Sequence, residues 1–310
     1  MFMARQPVAR SFPDLSICIV NHDTAELTCA CLNSIFATAG GLALEVFVVN
    51  NTPDADGAFG ALVREFPPVH VIQNAAPLGF AANQNQMLCR ASGRYLMPLN
   101  SDTVIHPGAL QTLVAFMDAH PQVGLAGPKL VYADGRLQPS CRNFPALLPA
   151  FMEVTGLWRR FKGNRWMARY VALCDPHTSV TEPDWLSGAC YIVRREVYER
   201  VGGYDADLFP VMYGEDVEWC WRIRRAGWRI AFVPQAVVTH LESQSAAPDR
   251  LYMMYESSVK FMGRWCSPAR SFGVRMVASA GVLLRWLRAR DGHERATYRR
   301  TLRLLLAGKG

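Results

Sequence analysis

Two adjacent acids, Glu215 and Asp216, stand in the stretch "MYGEDVEWCWRI". They follow a glycine and precede an apolar run in which Val217, Cys220 and Trp221 recur at helical spacing. A carboxylate at such a mouth can take a proton from a hydroxyl as a general base. Acids at a helix start also complement the helix dipole as a simple cap, and on this feature alone both readings stand. A second candidate is "NSD", Asn100, Ser101 and Asp102, which follows an apolar run and precedes a Pro-Gly helix start at Pro107. A carboxylate one residue from an amide oxygen offers oxygens to Mg²⁺ or Mn²⁺ and, through the cation, to phosphates. Asp at a strand end also serves as an ordinary turn residue. His240 closes the run "WRIAFVPQAVVTH" just before the polar "HLESQS". Imidazole is a common metal ligand, and a lone His is as readily a surface residue.

These residues need a scaffold. Runs 15–22, 45–49, 69–74 and 94–102 are short, apolar and end in polar residues, as buried strands do. Helical periodicity lies between and after them, after residue 24 and over 58–66, 80–91 and 107–118. Strands alternating with helices predict βαβ units and a parallel sheet, an α/β fold. Ligands bind such sheets at the carboxyl ends of the strands, where polar residues collect here at 21–23, 50–56 and 100–102. Further on, 123–145 reads as a strand, a hairpin around Asp134-Gly135 and a loop. The Trp-, Arg- and Met-rich segment 146–180 shows no clear period and reads as mobile or partner-facing. A strand at 189–193 and a helix at 195–201 follow, and from 250 onwards the chain is helical and basic.

Composition narrows the function classes. With 310 residues, half of them hydrophobic, the chain can bury a large core, and disorder is excluded as its main character. The net charge of +7 is unevenly placed: residues 260–310 hold twelve Lys and Arg against two acids, leaving the body near neutral. That asymmetry points to a surface role for the C-terminal region rather than to a nucleic-acid-binding body. Nine scattered cysteines without zinc-finger spacing indicate a reducing compartment and no structural zinc. The N-terminal "MFMARQPVARSFPD" lacks the apolar core of a signal peptide, and Met276 to Leu284 is too short to span a bilayer.

The collinear set "SICIVNHDTAELTCACLNSI", "VVNNTPDADG", "LGFAANQNQ", "LMPLNSDTVIHPGAL", "WLSGACYIVRREVYERVGGYDADLF" and "YGEDVEWCWRIRRAGWRIAFVPQAVVTH" resembles family 2 glycosyltransferases of the GT-A fold, in their rhamnosyltransferase-like branch. The resemblance runs from residue 15 to about 242. It implies a Rossmann-like, mostly parallel sheet flanked by helices over 1–245, with a basic helical extension over 246–310. It also implies an inverting, metal-dependent transfer of a sugar from a nucleotide-diphosphate sugar to a hydroxyl of a glycan or lipid-linked acceptor. The donor it suggests is dTDP-L-rhamnose. By the same resemblance Asp102 matches the second acid of the family's D-x-D motif, with Asn100 in place of the first, and His240 completes the site of a divalent cation, Mg²⁺ or Mn²⁺. Asp216 matches the catalytic base, and Glu215 positions acceptor or helix. Asn50 stands where the family's Asp accepts from a pyrimidine N3–H, and Asn21, Asp23, Asn100 and Ser101 fall on the donor side. Gly79 would let the backbone approach the donor, with Asn83 hydrogen-bonding beside it. Trp185 and Trp219 offer faces for an acceptor sugar, while Trp221 reads as core.

Apolar and Arg residues interleave at helical spacing in 271–306. A basic amphipathic helix of this kind lies on an anionic membrane surface; packing on the catalytic body or a dimer contact are the alternatives. A cytoplasmic protein, peripheral on the inner face of the membrane, with no nucleic acid partner, is the resulting expectation. Two other classes compete: a nucleotidyltransferase on a related scaffold, which would want a Gly- and Lys/Arg-rich phosphate loop near its N-terminus, and a non-catalytic sugar- or nucleotide-binding protein.

Overall fold

Leu15–Asn21 (β1) is buried along its whole length, and its neighbours Leu44–Asn50 (β2) and Tyr95–Asn100 (β4) pair with it in parallel on either side. Continuous Val/Ile/Leu-rich runs are what a strand covered by helices on both faces requires. The computed structural model describes residues 12–54, 57–66, 69–175, 177–241 and 249–308. The N-terminal segment 1–11, most of the "HLESQS" loop and the 245/246 boundary fall outside the described residues.

In chain order, β1 leads to α1 (Ala25–Thr38), β2, α2 (Ala58–Val63), β3 (Val69–Gln73), α3 (Phe80–Leu88) and β4. Next come β5 (Thr103–Ile105), α4 (Ala109–Ala119), β6 (Val123–Val131), β7 (Leu137–Gln138), β8 (Cys141–Arg142), α5 (Leu147–Thr155) and α6 (Arg165–Ala168). Then follow β9 (Trp185–Leu186), β10 (Ile192–Arg194), α7 (Arg195–Val201), α8 (Glu215–Arg225), β11 (Arg229–His240), α9 (Arg250–Trp265), α10 (Pro268–Arg288) and α11 (Gly292–Ala307). The main sheet runs β3-β2-β1-β4-β10-β6-β11-β5, with β7 on β6 and a separate β8-β9 pair.

The parallel half is the one the alternating pattern predicts, and the hairpin around Asp134-Gly135 forms as β6 against β7. Two departures have physical causes. β10 runs antiparallel between β4 and β6, because it enters from the loop that crosses the carboxyl edge. Segment 146–180, without an amphipathic period, still forms α5, short 3-10 turns and α6 around Met152, Val171 and Cys174. Helices this short take their stability from that local packing rather than from periodicity.

Two apolar layers cover the sheet. One packs α1 and α4 against it through Leu32, Ile35, Leu113 and Met117. The other joins α3, α8 and the C-terminal helices through Met87, Trp219, Ile223, Phe261, Val282 and Leu305. The basic helices α9–α11 therefore share a core with α8, the helix that carries Glu215 and Asp216. All nine cysteines are free thiols.

Candidate active site

The link from β4 to β5 carries Asn100, Ser101 and Asp102, and β5 pairs antiparallel with the end of β11 so that His240 lies opposite Thr103. Strand register thus brings His240 beside Asp102 across a sequence gap that no local pattern bridges. Its Nε2 is 3.3 Å from Asp102 Oδ1 and 3.4 Å from Asn100 Nδ2. The other ring nitrogen, Nδ1, is 3.0 Å from Gln138 Oε1 on β7. An amide oxygen only accepts, so Nδ1 carries a proton; in the neutral ring Nε2 then accepts from Asn100 Nδ2. In that form the imidazole nitrogen and the Asp102 carboxylate oxygen lie close enough to ligate one cation together. The residues present therefore fit a divalent cation, with one carboxylate oxygen and one imidazole nitrogen as protein ligands and the other positions left to phosphate oxygens and water. Among the described residues no group of three or more His, Cys, Asp or Glu gathers around one point, so a donor diphosphate would have to complete the shell.

The acid pair sits at the first turn of α8. Tyr213 and Gly214 precede it with φ of 71° and 90°, and a Cβ on Gly214 would stand 2.6 Å from the Phe209 ring. Only glycine fits that left-handed, crowded position. The helix is then fixed from behind: Trp219 Nε1 donates to Gly202 O at 2.8 Å. Arg222 Nε donates to both oxygens of buried Glu218, at 2.8 and 2.9 Å, while its Nη2 reaches Gly203 O at 2.6 Å.

The two acids have separate environments. Asp216 Oδ2 accepts from the Gly188 amide at 3.0 Å, and Oδ1 accepts from the Val217 amide at 2.8 Å. Burial raises the Asp216 carboxyl above the usual range, against the lowering effect of those two hydrogen bonds. Glu215 is buried, and its Oε2 has no hydrogen-bond partner. Burial first, and the Asp216 charge second, push it up to about 8. Burial and the neighbouring carboxylate both favour the protonated form of Glu215, which lessens the like charge beside Asp216. The next residue along from Gly188 ties in the other half of the site, since Ala189 O accepts from the Asn100 amide at 2.9 Å. Consecutive residues thus anchor the acid of α8 and the start of the Asn100–Asp102 link.

A cleft of about 630 Å³ opens at the carboxyl ends of β1 and β2, lined by Asp23, Thr24, Thr52, Pro53, Asp54 and Phe59. Asp23, exposed and with φ of 55°, holds the rim through its amide on Thr52 Oγ1 at 2.8 Å. Ser101 Oγ lies 3.0 Å from Thr24 Oγ1 and joins this cleft to the metal side.

Four expectations need correction. Asn50 is buried: its Oδ1 accepts from Asn21 Nδ2 at 2.8 Å and from the Thr52 amide at 3.4 Å, and its Nδ2 donates to Gln73 Oε1 at 2.8 Å. Both lone pairs of its carbonyl are engaged, so it offers no free acceptor to a base N3–H. Asn50 and Asn21 instead form an amide chain that ties the three strand ends into the floor of the cleft. Asn83 is likewise buried, bonded to Leu78 O at 3.1 Å and to Asn74 Nδ2 at 2.6 Å, and so braces the 74–78 loop. Gly79 admits protein backbone rather than donor, because a Cβ there would stand 2.0 Å from Pro210 O. Trp219 is 0 % exposed and presents no face to a sugar; it packs on Tyr191 and Tyr204. Trp185 is half-buried with Nε1 on Asn143 O at 2.9 Å, and Trp221 packs against Phe144, Phe261 and Trp265.

Sequence reasoning missed Gln73, Gln138 and Gly188, which act through long-range pairs and carry no local signal. Asp54 and Thr52 were visible as loop residues after β2. Asp54 takes the Phe59 and Gly60 amides at the start of α2, at 3.2 and 3.3 Å.

Comparison with known proteins agrees with this geometry. The family described as glycosyltransferase like family 2 matches residues 13–267. The N-acetylglucosaminyl-diphospho-decaprenol L-rhamnosyltransferase of Mycobacterium tuberculosis is 30% identical over 237 residues, covering 69% of this chain and 75% of that protein. The O-antigen biosynthesis protein RfbC of Myxococcus xanthus is 31% identical over 257 residues, which are 81% of this chain and only 19% of RfbC. Among solved structures, GalNAc-T7 with UDP, GalNAc and Mn²⁺ superposes with a TM-score of 0.64 at 16% identity, over 87% of this chain and about half, 52%, of that one. The mannosyltransferase PcManGT of Pyrobaculum calidifontis, with GDP-Man and Mn²⁺, superposes at 0.55 and 16% identity, over 96% and 86%. Among the described residues no helix is long and apolar enough to cross a membrane. The chain belongs to the family 2 glycosyltransferases and is a glycosyltransferase of GT-A fold.

Proposed function

We propose that this enzyme transfers a sugar, with inversion, from a nucleotide-diphosphate sugar to a hydroxyl of a lipid-linked glycan acceptor, with dTDP-L-rhamnose as donor. The single observation that carries the reaction type is the clamp at residues 188–189, which holds Asp216 through Gly188 and the Asn100–Asp102 link through Ala189. A direct displacement needs these two functions side by side and on opposite faces of the anomeric carbon. The nucleoside occupies the cleft of Asp23, Thr24, Thr52 and Phe59, and its diphosphate runs past Ser101 towards Asp102 and His240.

Asp216 takes the proton of the acceptor hydroxyl as its oxygen bonds to the anomeric carbon, and the bond from that carbon to the diphosphate oxygen breaks with its electron pair leaving on the nucleotide. A positioned general base typically contributes 10²–10⁴-fold to rate. A divalent cation held by Asp102 and His240 would offset the charge that develops on the departing diphosphate. Neutral Glu215 keeps Asp216 from sharing its site with a second negative charge, and Trp185 borders the acceptor. The choice of donor sugar and of a lipid-linked acceptor rests on the 30% identity to the mycobacterial rhamnosyltransferase.

A panel of nucleotide sugars tested by thermal shift with Mn²⁺ or Mg²⁺ decides the donor, since a ligand that binds the folded state alone raises the melting temperature. dTDP-L-rhamnose is expected to give the largest shift, and only with metal present. A larger shift from another nucleotide sugar would overturn the donor, and an equal shift in EDTA would overturn the metal site.

A further inference from the structure

Beyond the catalytic cleft, the molecule has a second concavity of about 340 Å³, lined by Phe144, Asp184, Trp221, Arg224, Arg225 and Arg270. Three guanidinium groups face one carboxylate, and that carboxylate is already committed. Asp184 Oδ2 accepts from the Phe144 amide at 2.9 Å, and Oδ1 receives Arg224 at 3.4 Å. Arg224 otherwise caps Pro183 O at 3.0 Å, Arg270 spends its Nε on Pro145 O at 2.6 Å, and Arg225 lies 5.9 Å from the Trp265 ring. Each guanidinium has five N–H donors in a fixed fork, so most donors of this trio remain available. A concave site with surplus planar donors matches phosphoryl oxygens.

What surrounds the concavity identifies the source of the phosphoryl group. Arg270, one of its walls, and Pro145, whose carbonyl Arg270 holds, lie two residues from Phe272 of α10 and Leu147 of α5, which are 58% and 54% exposed. The two helices lie against each other through glycine, since a Cβ on Gly273 would meet Leu147 at 2.8 Å and one on Gly281 would meet Val154 at 2.5 Å. Phe151 on α5 is 47% exposed, and Leu283 and Leu287 on α10 are 43% and 62% exposed. At 100° per residue, Phe272, Leu283 and Leu287 fall within one narrow stripe of α10. Arg270 and Arg288 share one angular position about 100° beyond its edge, on the side that Gly273 and Gly281 turn to α5. Large apolar side chains on one face, flanked by arginine, are the signature of a helix lying in a bilayer interface. The region 260–310, ten positive charges in surplus, complements an anionic leaflet.

We infer that the paired outer faces of α5 and α10 lie in the surface of an anionic membrane, and that Arg224, Arg225 and Arg270 bind the phosphoryl headgroup of a lipid in that surface. The inference does not depend on the sugar transferred. Arg142 of β8 pairs with Glu153 of α5 at 3.5 Å and ties this face to the β8-β9 pair that carries Trp185.

The test is co-flotation of the full chain with vesicles, without nucleotide sugar, so that its outcome is independent of the transfer reaction. Vesicles of pure phosphatidylcholine are compared with vesicles containing phosphatidylglycerol. Binding is expected only to the anionic vesicles and is expected to weaken in high salt. An Arg225→Gln/Arg270→Gln variant is expected to lose about twenty-five-fold in partitioning, two charges at about fivefold each, and Arg225→Lys/Arg270→Lys to recover most of it. A Phe272→Ser/Leu287→Ser variant is expected to lose binding with all arginines intact. Each variant is checked for a cooperative melt at the wild-type temperature, and transfer to a water-soluble acceptor is measured separately. Equal binding to neutral vesicles, no binding by the wild type, or full binding by either loss variant would overturn the inference. So would a thermal shift from millimolar inorganic diphosphate, lost in Arg225→Gln/Arg270→Gln, if vesicle binding were absent: the arginines would then serve a soluble anion.

Discussion

His240 Nε2 and Asp102 Oδ1 stand 3.3 Å apart, with Gln138 Oε1 accepting from the other ring nitrogen, Nδ1, at 3.0 Å. A glutamine on the β7 hairpin thus keeps a proton on Nδ1 and, in the neutral ring, leaves Nε2 as the nitrogen that can ligate a cation. Partners behind a ligating histidine typically contribute 10–100-fold to metal affinity. Gln138→Ala is expected to weaken Mn²⁺ binding by about 10–100-fold while leaving the melting temperature of the metal-free protein nearly unchanged. Isothermal titration with Mn²⁺ in the presence of a nucleoside diphosphate measures it; unchanged affinity would remove Gln138 from the site.

Asp216→Asn keeps the shape of the side chain and removes the base. A fall in kcat of about 10²–10⁴-fold, with the donor KM little altered, is the expected result. Glu215→Gln replaces a protonated acid by a neutral amide and should retain activity at pH 7. The opposite ranking of the two variants in a steady-state assay would exchange their assigned roles.

Glu215 also makes stability depend on pH. Its folded-state carboxyl is pushed up to about 8 by burial and by Asp216, well above the value of a solvated glutamate. Between those two values the folded state retains a proton that the unfolded chain has released, so the contribution is complete at low pH and is lost as pH rises towards 8. The raised Asp216 carboxyl acts in the same direction. Urea denaturation of wild type and Glu215→Gln, compared at about pH 5 and about pH 8, should show the variant gaining on the wild type at the higher pH. A constant difference would mean that Glu215 is already ionised in the fold.

Gly79 couples the donor half of the molecule to the helix that carries Asp216. Its missing Cβ lets Pro210 O approach, and the Phe80 amide donates to Val211 O at 2.8 Å, three residues before Gly214. Gly79→Ala is expected to cost about 1–3 kcal/mol of stability by overpacking and to lower kcat through displacement of residues 209–214. Denaturant midpoints and steady-state rates measure the two effects; a stable, fully active variant would show that the loop is free to shift.

The sequence by itself determined the alternation of strands and helices and the polar carboxyl edge on which Asp102, Asp216 and His240 stand as candidates, because strand runs, turn chemistry and helix starts are local properties. It also placed the acids Glu215 and Asp216 at a helix start, where the structure has them. What it did not contain was the direction in which each polar side chain is spent. Asn50 and Asn83 carry the residue types of a binding site and are used up inside it, on Asn21, Gln73 and Asn74. Trp219 and Trp221 lie two apart on one helix. Trp219 is sealed between Tyr191 and Tyr204 and Trp221 packs on Phe144 and Phe261, so neither offers a sugar a face. Only the tertiary structure decided these, as it decided the pairing of His240 with Gln138 and of Asp216 with Gly188. Hydrogen-bond satisfaction and burial depend on partners tens of residues away, which β-sheet register and loop crossing bring together and no sequence window spans.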